Sequence, residues 1–163
     1  MSLLKGMVVA CALSAPLVVA PVASGLAYAQ DETGPITEEV TENVERTAAH
    51  YAAIRQEARD RIWQGAQATR EDLRLLSGDD ASDRALGVRA LAGVGAADAR
   101  ADAAVNLVRE QRNRSLRQLR RANAPVEAFT AVQEGAEASI ALIRRAQVNA
   151  GAAIGAALDE LTD

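Results

Sequence analysis

The residues that decide the fold are 86–119, which read LGVRALAGVGAADARADAAVNLVREQRNRSLRQL. Steps of four, four and three residues through this stretch reach apolar side chains at nine of ten positions. These positions are Leu86, Ala90, Val94, Ala97, Ala101, Val105, Val108, Arg112, Leu116 and Leu119, with Arg112 the exception. Eleven residues over three turns match the natural pitch of an α-helix. The pattern therefore predicts one long amphipathic helix whose apolar stripe must be buried.

The sequence on either side of this helix carries a related pattern. Residues 37–76 repeat the same stepping, and residues 125–161 carry a further apolar series. Much of the apolar content is alanine, the residue with the highest helix propensity, and aromatic residues make up 2% of the chain. The sequence thus predicts an all-α fold, a coiled-coil-like bundle of three long helices at about 37–76, 83–122 and 125–161.

Two short breaks separate the predicted helices. In residues 77–82, Gly78 suits a left-handed position after a helix end, and Ser82 or Asp80 can cap the next helix, as Thr37 can cap the first. In the second break, Asn123 tolerates the left-handed conformation and Pro125 suits a first helical turn. Short connections make neighbouring helices antiparallel, which predicts an up-down-up bundle. A mere kink at Pro125, with the helix continuing, is the alternative.

Charge indicates how the first two helices align. The start of the first helix is acidic and the end of the second is rich in arginine. In the up-down-up arrangement, Glu42 falls near Arg117 and Glu45 near Arg114. We therefore expect these residues to set the register, although exposed ion pairs contribute only about 0–1 kcal/mol each.

Glycines at matching heights predict a close approach of the second and third helices. Folding at the second break brings Gly93 and Gly95 opposite Gly155 and Gly151. Glycine inside a helix costs roughly 0.5–1 kcal/mol relative to alanine, so a packing seam would explain its presence. Random drift in an alanine- and glycine-rich gene is the alternative. At this level, Trp63 is expected to fill the middle of the bundle between small neighbours.

The first 29 residues resemble a secretory signal peptide. Lys5 gives a positive start, residues 6–22 are mostly apolar, and Ala27-Tyr28-Ala29 forms a small-x-small cleavage signature. Two prolines in the apolar run argue against an uncleaved membrane anchor. Cleavage would leave no stable membrane insertion and would place the protein in the periplasm or outside the cell.

Cleavage after residue 29 would also remove Cys11, the only cysteine. A lipoprotein anchored at Cys11 is the alternative, since residues 8–11 resemble a lipobox. Residues 30–36 then form a flexible acidic lead before a helical domain at 37–163. The mature chain would carry a net charge of −5, from 17 Arg against 22 Asp and Glu. This balance argues against binding to nucleic acid or to an anionic membrane.

The residues available for catalysis are few. After cleavage the chain has one histidine, His50, and neither cysteine nor lysine. His50 lies in the middle of a predicted helix with no serine nearby, and one histidine does not make a zinc site. We therefore predict no catalytic residues, no metal site and no cofactor, and so no enzyme activity.

The arginine-rich end, residues 109–121, is the strongest candidate for a binding surface. Its candidate residues for a partner or an anion are Arg109, Arg114, Arg117, Arg120 and Arg121. A solvated face that pairs with the acidic start of the first helix is the alternative. No aromatic residue is interleaved, which argues against single-stranded nucleic acid. The opposite, acidic end is a weaker candidate for a divalent cation. It combines Asp79, Asp80 and Asp83 with Asp159, Glu160 and Asp163.

These features predict an exported, non-enzymatic helical binding or structural protein of the bacterial cell envelope. Its partner would be another protein or a second copy of the chain. Two alternatives stand beside this interpretation. One is a self-associating coiled-coil assembly element. The other is a protein that binds a small anion at residues 109–121 or a cation at the acidic end.

Overall fold

Three long helices make up the protein in the computed structural model, which describes residues 37–79 and 81–162. Helix α1 spans Glu38–Gly78, α2 spans Asp83–Arg121 and α3 spans Val126–Thr162. Across the described residues there are no strands, and each helix packs against both of the others. The predicted all-α bundle of three helices is confirmed, and every helix end lies within two residues of its predicted position.

The N-terminal segment lies outside the described residues. The expectations of a signal peptide at 1–29, of a lipid-anchored Cys11 and of an acidic lead at 30–36 all fall on this segment, so they stay predictions. In the part of the chain that the structure describes, no helix combines the length and the apolarity that a membrane span requires.

The helix starts and the second turn form as the sequence indicates. The hydroxyl of Thr37 accepts a hydrogen bond from the backbone N–H of Val40 at 3.3 Å, and Ser82 caps α2 in the same way. Asn123 has a φ of 48°, in the left-handed region, and the N–H of Ala124 then donates to the carbonyl of Leu119 at 3.0 Å. These features reverse the chain before α3, so the alternative of a kinked, continuous helix is wrong.

The first turn is built differently from the prediction. Gly78 is the last residue of α1, and no glycine of the described residues has a positive φ. Asp79 is the C-cap, with φ −94° and ψ 18°, and its N–H donates to the carbonyls of Leu75 and Leu76 at 3.2 Å. The turn therefore closes without a left-handed residue at position 78, and Gly78 keeps a helical conformation.

Buried side chains follow the predicted stripes on all three helices. Of the ten stripe positions of α2, seven are buried, while Val94, Arg112 and Leu116 are half-buried. The largest fully buried side chains elsewhere are Ile62 and Leu73 of α1 and Val132, Ile143 and Ile154 of α3, and the larger Tyr51 of α1 is 3% exposed. Since all three stripes pack against one another, the chain closes its own core.

The core has two parts. A main cluster extends from Tyr51 of α1 to the end of the bundle where α1 and α2 connect. A smaller cluster, here called the end cluster, lies near the second turn and consists of Val40, Leu119, Ala128 and Val132. Along α1 and α2, the hydroxyl side chains of Thr47 and Ser115 lie between the two clusters, and both are buried.

The register of α1 and α2 differs from the predicted one by two to three residues. Asn43 donates to Gln118 at 2.8 Å, and the hydroxyls of Thr47 and Ser115 are 2.7 Å apart. Within the described residues, neither Glu42 nor Glu45 forms an ion pair with an arginine of α2. Glu42 instead binds Arg46 on its own helix, at 3.3 Å. Buried contacts outweigh exposed charges here, because exposed ion pairs stabilise a fold only weakly.

The predicted glycine seam between α2 and α3 does not form. A Cβ atom added to Gly95, Gly151 or Gly155 would meet no atom within 4 Å. At Gly93 it would lie 2.9 Å from the Cβ of Thr69, which belongs to α1. The close approach at Gly93 therefore joins α2 to α1, and Gly65 of α1 likewise lies against the side chain of Arg100 on α2. Matching heights on two helices do not fix the direction in which each glycine faces, and this is why the prediction failed.

Trp63 does not fill the middle of the bundle. Its side chain is 46% exposed, and the buried residues at this level of α1 are Ile62 and Ala66. Small residues on the facing helix, such as Ala97 and Ala101, are fully buried. They let the helices approach one another closely, as close-packed interiors require, and this leaves no room for an indole.

Candidate functional site

The last turns of α2 carry a dense row of arginines, which we call the arginine ridge. It consists of Arg109, Arg112, Arg114, Arg117, Arg120 and Arg121. All are exposed except Arg112, which is half-buried. Arg109, Asn113, Arg117 and Arg120 follow one another at spacings of four, four and three, so they form one line along the helix. With a rise of 1.5 Å per residue, the ridge is roughly 18 Å long.

The opposite side of the same segment holds α2 in place. Val108, Ser115 and Leu119 are buried, with exposures of 0%, 0% and 1%. Leu119 belongs to the end cluster and Val108 to the main cluster. Because this face is fixed against α1 and α3, the intervening arginines are directed to the outside of the bundle.

A buried chain of hydrogen bonds lies beneath the ridge. The hydroxyl of Thr47 donates to the backbone carbonyl of Asn43 at 2.8 Å, so the hydroxyl of Ser115 donates to the oxygen of Thr47, 2.7 Å away. Ser115 in turn accepts from the amide of Gln111 at 3.4 Å. We call Thr47 and Ser115 the polar layer. The stepping through residues 37–76 reaches Thr47, but nothing in the sequence pattern pairs it with Ser115.

Arg112 of the ridge influences the core residue Tyr51 through its charge. The guanidinium of Arg112 donates to the side-chain oxygen of Asn113 at 3.3 and 3.2 Å. The hydroxyl of Tyr51 donates to the carbonyl of Val132 at 3.3 Å. Burial raises the pKa of Tyr51 to about 12, and the positive charge of Arg112 partly opposes this rise. Tyr51 is therefore a neutral core residue at physiological pH, and it is not a candidate acid or base.

Among the described residues, ion pairs with carboxylates involve four of the eleven arginines outside the ridge and none of the six within it. Within the described residues, Arg46, Arg61, Arg89 and Arg144 each form an ion pair with a carboxylate. In the same part of the chain, none of the six ridge arginines has a carboxylate oxygen within 4.0 Å. Between residues 109 and 121 the only acidic residue is Glu110. The ridge therefore offers several guanidinium groups to an external anion.

The helices on both sides of the ridge are acidic at this end of the bundle. The start of α1 and the first half of α3 both carry exposed glutamates. These residues are Glu38, Glu39, Glu42 and Glu45 on α1 and Glu127, Glu134 and Glu137 on α3. The positive surface is thus about one helix wide, or roughly 10–12 Å. It lies between α1 and α3, which we call its acidic borders because both helices carry exposed glutamates at this end of the bundle.

The structure does not bring metal-ligating side chains together at the acidic end or at His50 among the described residues. At the acidic end, Asp79, Asp83, Asp159 and Glu160 are exposed, while Asp80 and Asp163 lie outside the described residues. No group of three or more His, Cys, Asp or Glu in the described part of the chain could hold a metal ion. His50 is exposed on α1. The arginine ridge therefore remains the strongest candidate site.

The chain matches no protein-family model, and no curated protein or solved structure is significantly similar to it. The fold and the arrangement of its own side chains are therefore the basis for inferring its function. A three-helix bundle by itself identifies no function, because one architecture serves many activities.

Proposed function

We propose that this protein is an exported, non-enzymatic helical binding protein of the bacterial cell envelope, and that it acts through the outer surface of α2. One contrast supports the proposal. The three apolar stripes are buried against one another within a single chain, whereas the arginine ridge lacks carboxylate partners among the described residues. A closed core supplies a rigid support, and the ridge supplies the groups that can contact a partner.

Export rests on the pattern of residues 1–29 and is tested separately. When the full chain is expressed in a bacterial host, we expect the protein in the periplasm or the medium, with Gln30 as its first residue. N-terminal sequencing of the purified protein measures this. A chain that stays in the cytoplasm with residues 1–29 attached would contradict the proposal.

Binding through α2 is tested in living cells with a photo-cross-linking diazirine amino acid, whose carbene can react with a phosphate oxygen as well as with a protein. The reactive residue replaces Asn113, an exposed position within the arginine ridge, or Gln67, an exposed control position on α1. We expect discrete adducts from position 113 and none from position 67. No adduct from position 113, or the same adducts from both positions, would contradict a binding role for this surface.

Self-association is the second candidate, because apolar side chains remain exposed away from the ridge. On α2, Val88 is 62% and Leu91 is 74% exposed, and on α3 Val148 is 67% exposed. A mass measured by light scattering that doubles as concentration rises, and returns to that of a monomer in Leu91→Glu, would favour this candidate. A monomeric mass at all concentrations would exclude it.

A further inference from the structure

We propose that the arginine ridge binds a linear phosphate polymer, which lies along α2 from Arg109 to Arg121. This inference rests on the proposed binding role of α2 and names the chemical class of its ligand. Three properties of the surface select this class: its width, the absence of apolar anchors and the density of its charge.

The width of the ridge argues against a flat anionic surface. A membrane that approached α2 would also come near α1 and α3, which pack against α2 and carry exposed glutamates at this end of the bundle. Like charges repel, so these borders would weaken adsorption to anionic headgroups. A polymer only one chain wide can follow α2 and contact the arginines without crossing either acidic border.

The absence of apolar anchors argues against a protein partner. From Arg109 to Arg121, Ser115 and Leu119 are buried and Leu116 is half-buried. The remaining residues of this segment are charged or polar. The residues that carry most of the binding energy in protein interfaces are enriched in Trp, Tyr and Arg, and the ridge offers arginine without any aromatic residue beside it. A partner whose recognition depends on charge alone suits it better.

The density of charge favours phosphate. Six arginines along roughly 18 Å supply one guanidinium per about 3 Å of helix, close to the about 3.4 Å of axis per phosphate charge on one strand of duplex DNA. Guanidinium groups also match the oxygens of phosphate with two parallel hydrogen bonds. No aromatic residue lies between 109 and 121 to stack on a base. The ligand is therefore a phosphate polymer without a requirement for bases.

The test measures binding of end-labelled inorganic polyphosphate to the full chain by fluorescence anisotropy, from 50 to 200 mM salt. If about five arginines contact phosphate, the logarithm of the association constant should fall with the logarithm of salt at a slope of roughly −3.5. Affinity would then drop about 100-fold over this range. A slope between 0 and −1 would overturn the proposed set of contacts.

A matched pair of variants separates the ridge from overall charge. Arg109→Gln, Arg117→Gln and Arg120→Gln remove three ridge charges together, and we expect binding to weaken at least tenfold and the slope to lose about 2 units. The control replaces Arg59, Arg74 and Arg84 by Gln, which changes the net charge equally at exposed positions elsewhere. We expect the control to bind like the unaltered protein.

Three outcomes would overturn the inference. The ridge variant could bind as tightly as the unaltered protein, or the control could lose as much as the ridge variant. Alternatively, anionic phospholipid vesicles or poly-glutamate could bind more tightly than polyphosphate under the same conditions. Circular dichroism verifies that the variants remain helical, and Arg114→Gln with Arg121→Gln provides a second ridge variant. If adducts still form at position 113 while polyphosphate does not bind, the proposed binding role stands and only this ligand class fails.

Discussion

Replacing Thr47 and Ser115 together with apolar residues should lower the unfolding free energy less than replacing either residue alone. Thr47 and Ser115 are 2% and 0% exposed, and their hydroxyls are 2.7 Å apart. Thr47→Val keeps the shape of the side chain but removes the oxygen to which Ser115 donates. Ser115→Ala removes a donor to Thr47 and the acceptor for Gln111. Thr47→Val thus leaves the buried Ser115 hydroxyl without its acceptor, whereas after Ser115→Ala the Thr47 hydroxyl keeps its bond to the carbonyl of Asn43 and loses only its donor.

The expected magnitudes follow from the cost of unpaired buried groups. A buried group that loses its hydrogen-bond partner costs about 1–3 kcal/mol, whereas replacing both partners with apolar groups of similar shape is nearly neutral. We therefore expect Thr47→Val to lose about 1–2 kcal/mol of unfolding free energy and Ser115→Ala to lose about 1 kcal/mol. The double variant should lie within about 0.5 kcal/mol of the unaltered protein, because it joins the main cluster to the end cluster without an unpaired hydroxyl.

Urea denaturation followed by circular dichroism at 222 nm measures this as a double-mutant cycle. The predicted coupling energy between the two positions is about 1.5–3 kcal/mol, well above the experimental error of such cycles. If the two single effects simply add, the hydroxyls do not act as a pair. The register of α1 against α2 would then not be stabilised by a hydrogen bond between buried hydroxyls.

Three further changes test other parts of the fold. Gly93→Ala should lower the unfolding free energy by more than about 1 kcal/mol, because the added Cβ would press against α1. Gly95 faces open space, so Gly95→Ala should raise the unfolding free energy by roughly 0.5–1 kcal/mol through helix propensity. Thermal unfolding of the two variants gives the comparison. Burial raises the pKa of Tyr51 to about 12, above the ordinary value of 10.0. The unfolded state therefore loses the Tyr51 proton at a lower pH than the folded state, so the unfolding free energy should fall as pH rises from 10 towards 12. Tyr51→Phe should remove this contribution to the fall, and urea midpoints across the same pH range measure it. Asn123→Ala should cost about 1–2 kcal/mol because φ is 48°, while Asn123→Gly should be nearly neutral, in the same denaturation assay.

Features that depend on position along a helix were predictable from the sequence. The stripe of α2 fixed its buried face, and caps at Thr37 and Ser82 marked two helix starts. Asn123 and Pro125 marked the reversal before α3. These signals are local, since periodicity and capping act within one or two turns. The arginine ridge was visible for the same reason, as a cluster within a single segment.

Features that depend on the rotation of one helix against another were not predictable. Gly93 was expected to face α3 and instead lies against Thr69 of α1. The predicted register relied on exposed charges, whereas the observed register places the buried hydroxyls of Thr47 and Ser115 together. A sequence pattern gives the position of each residue along its own helix. The packing of the helices determines the register between them and the neighbour that each residue faces. The described ridge arginines lack carboxylate partners because this packing does not bring the glutamates of α1 within 4.0 Å of them.

The central claim is that one chain closes its own core and leaves the arginine ridge on the outside. Cysteine cross-linking tests it most directly, with Cys11 replaced by Ser. Asn43 and Gln118, whose side chains are hydrogen-bonded at 2.8 Å, are changed to Cys together. The control pairs Cys at 118 with Cys at Arg74, near the other end of α1.

Oxidation over a range of protein concentrations, followed by non-reducing mass measurement, gives the answer. The structure predicts a disulfide within one chain for the 43/118 pair, with a yield that does not depend on concentration, and none within one chain for the 74/118 pair. Disulfide-linked dimers of the 43/118 variant, increasing with concentration, would contradict the claim. They would mean that α1 pairs with α2 of another copy.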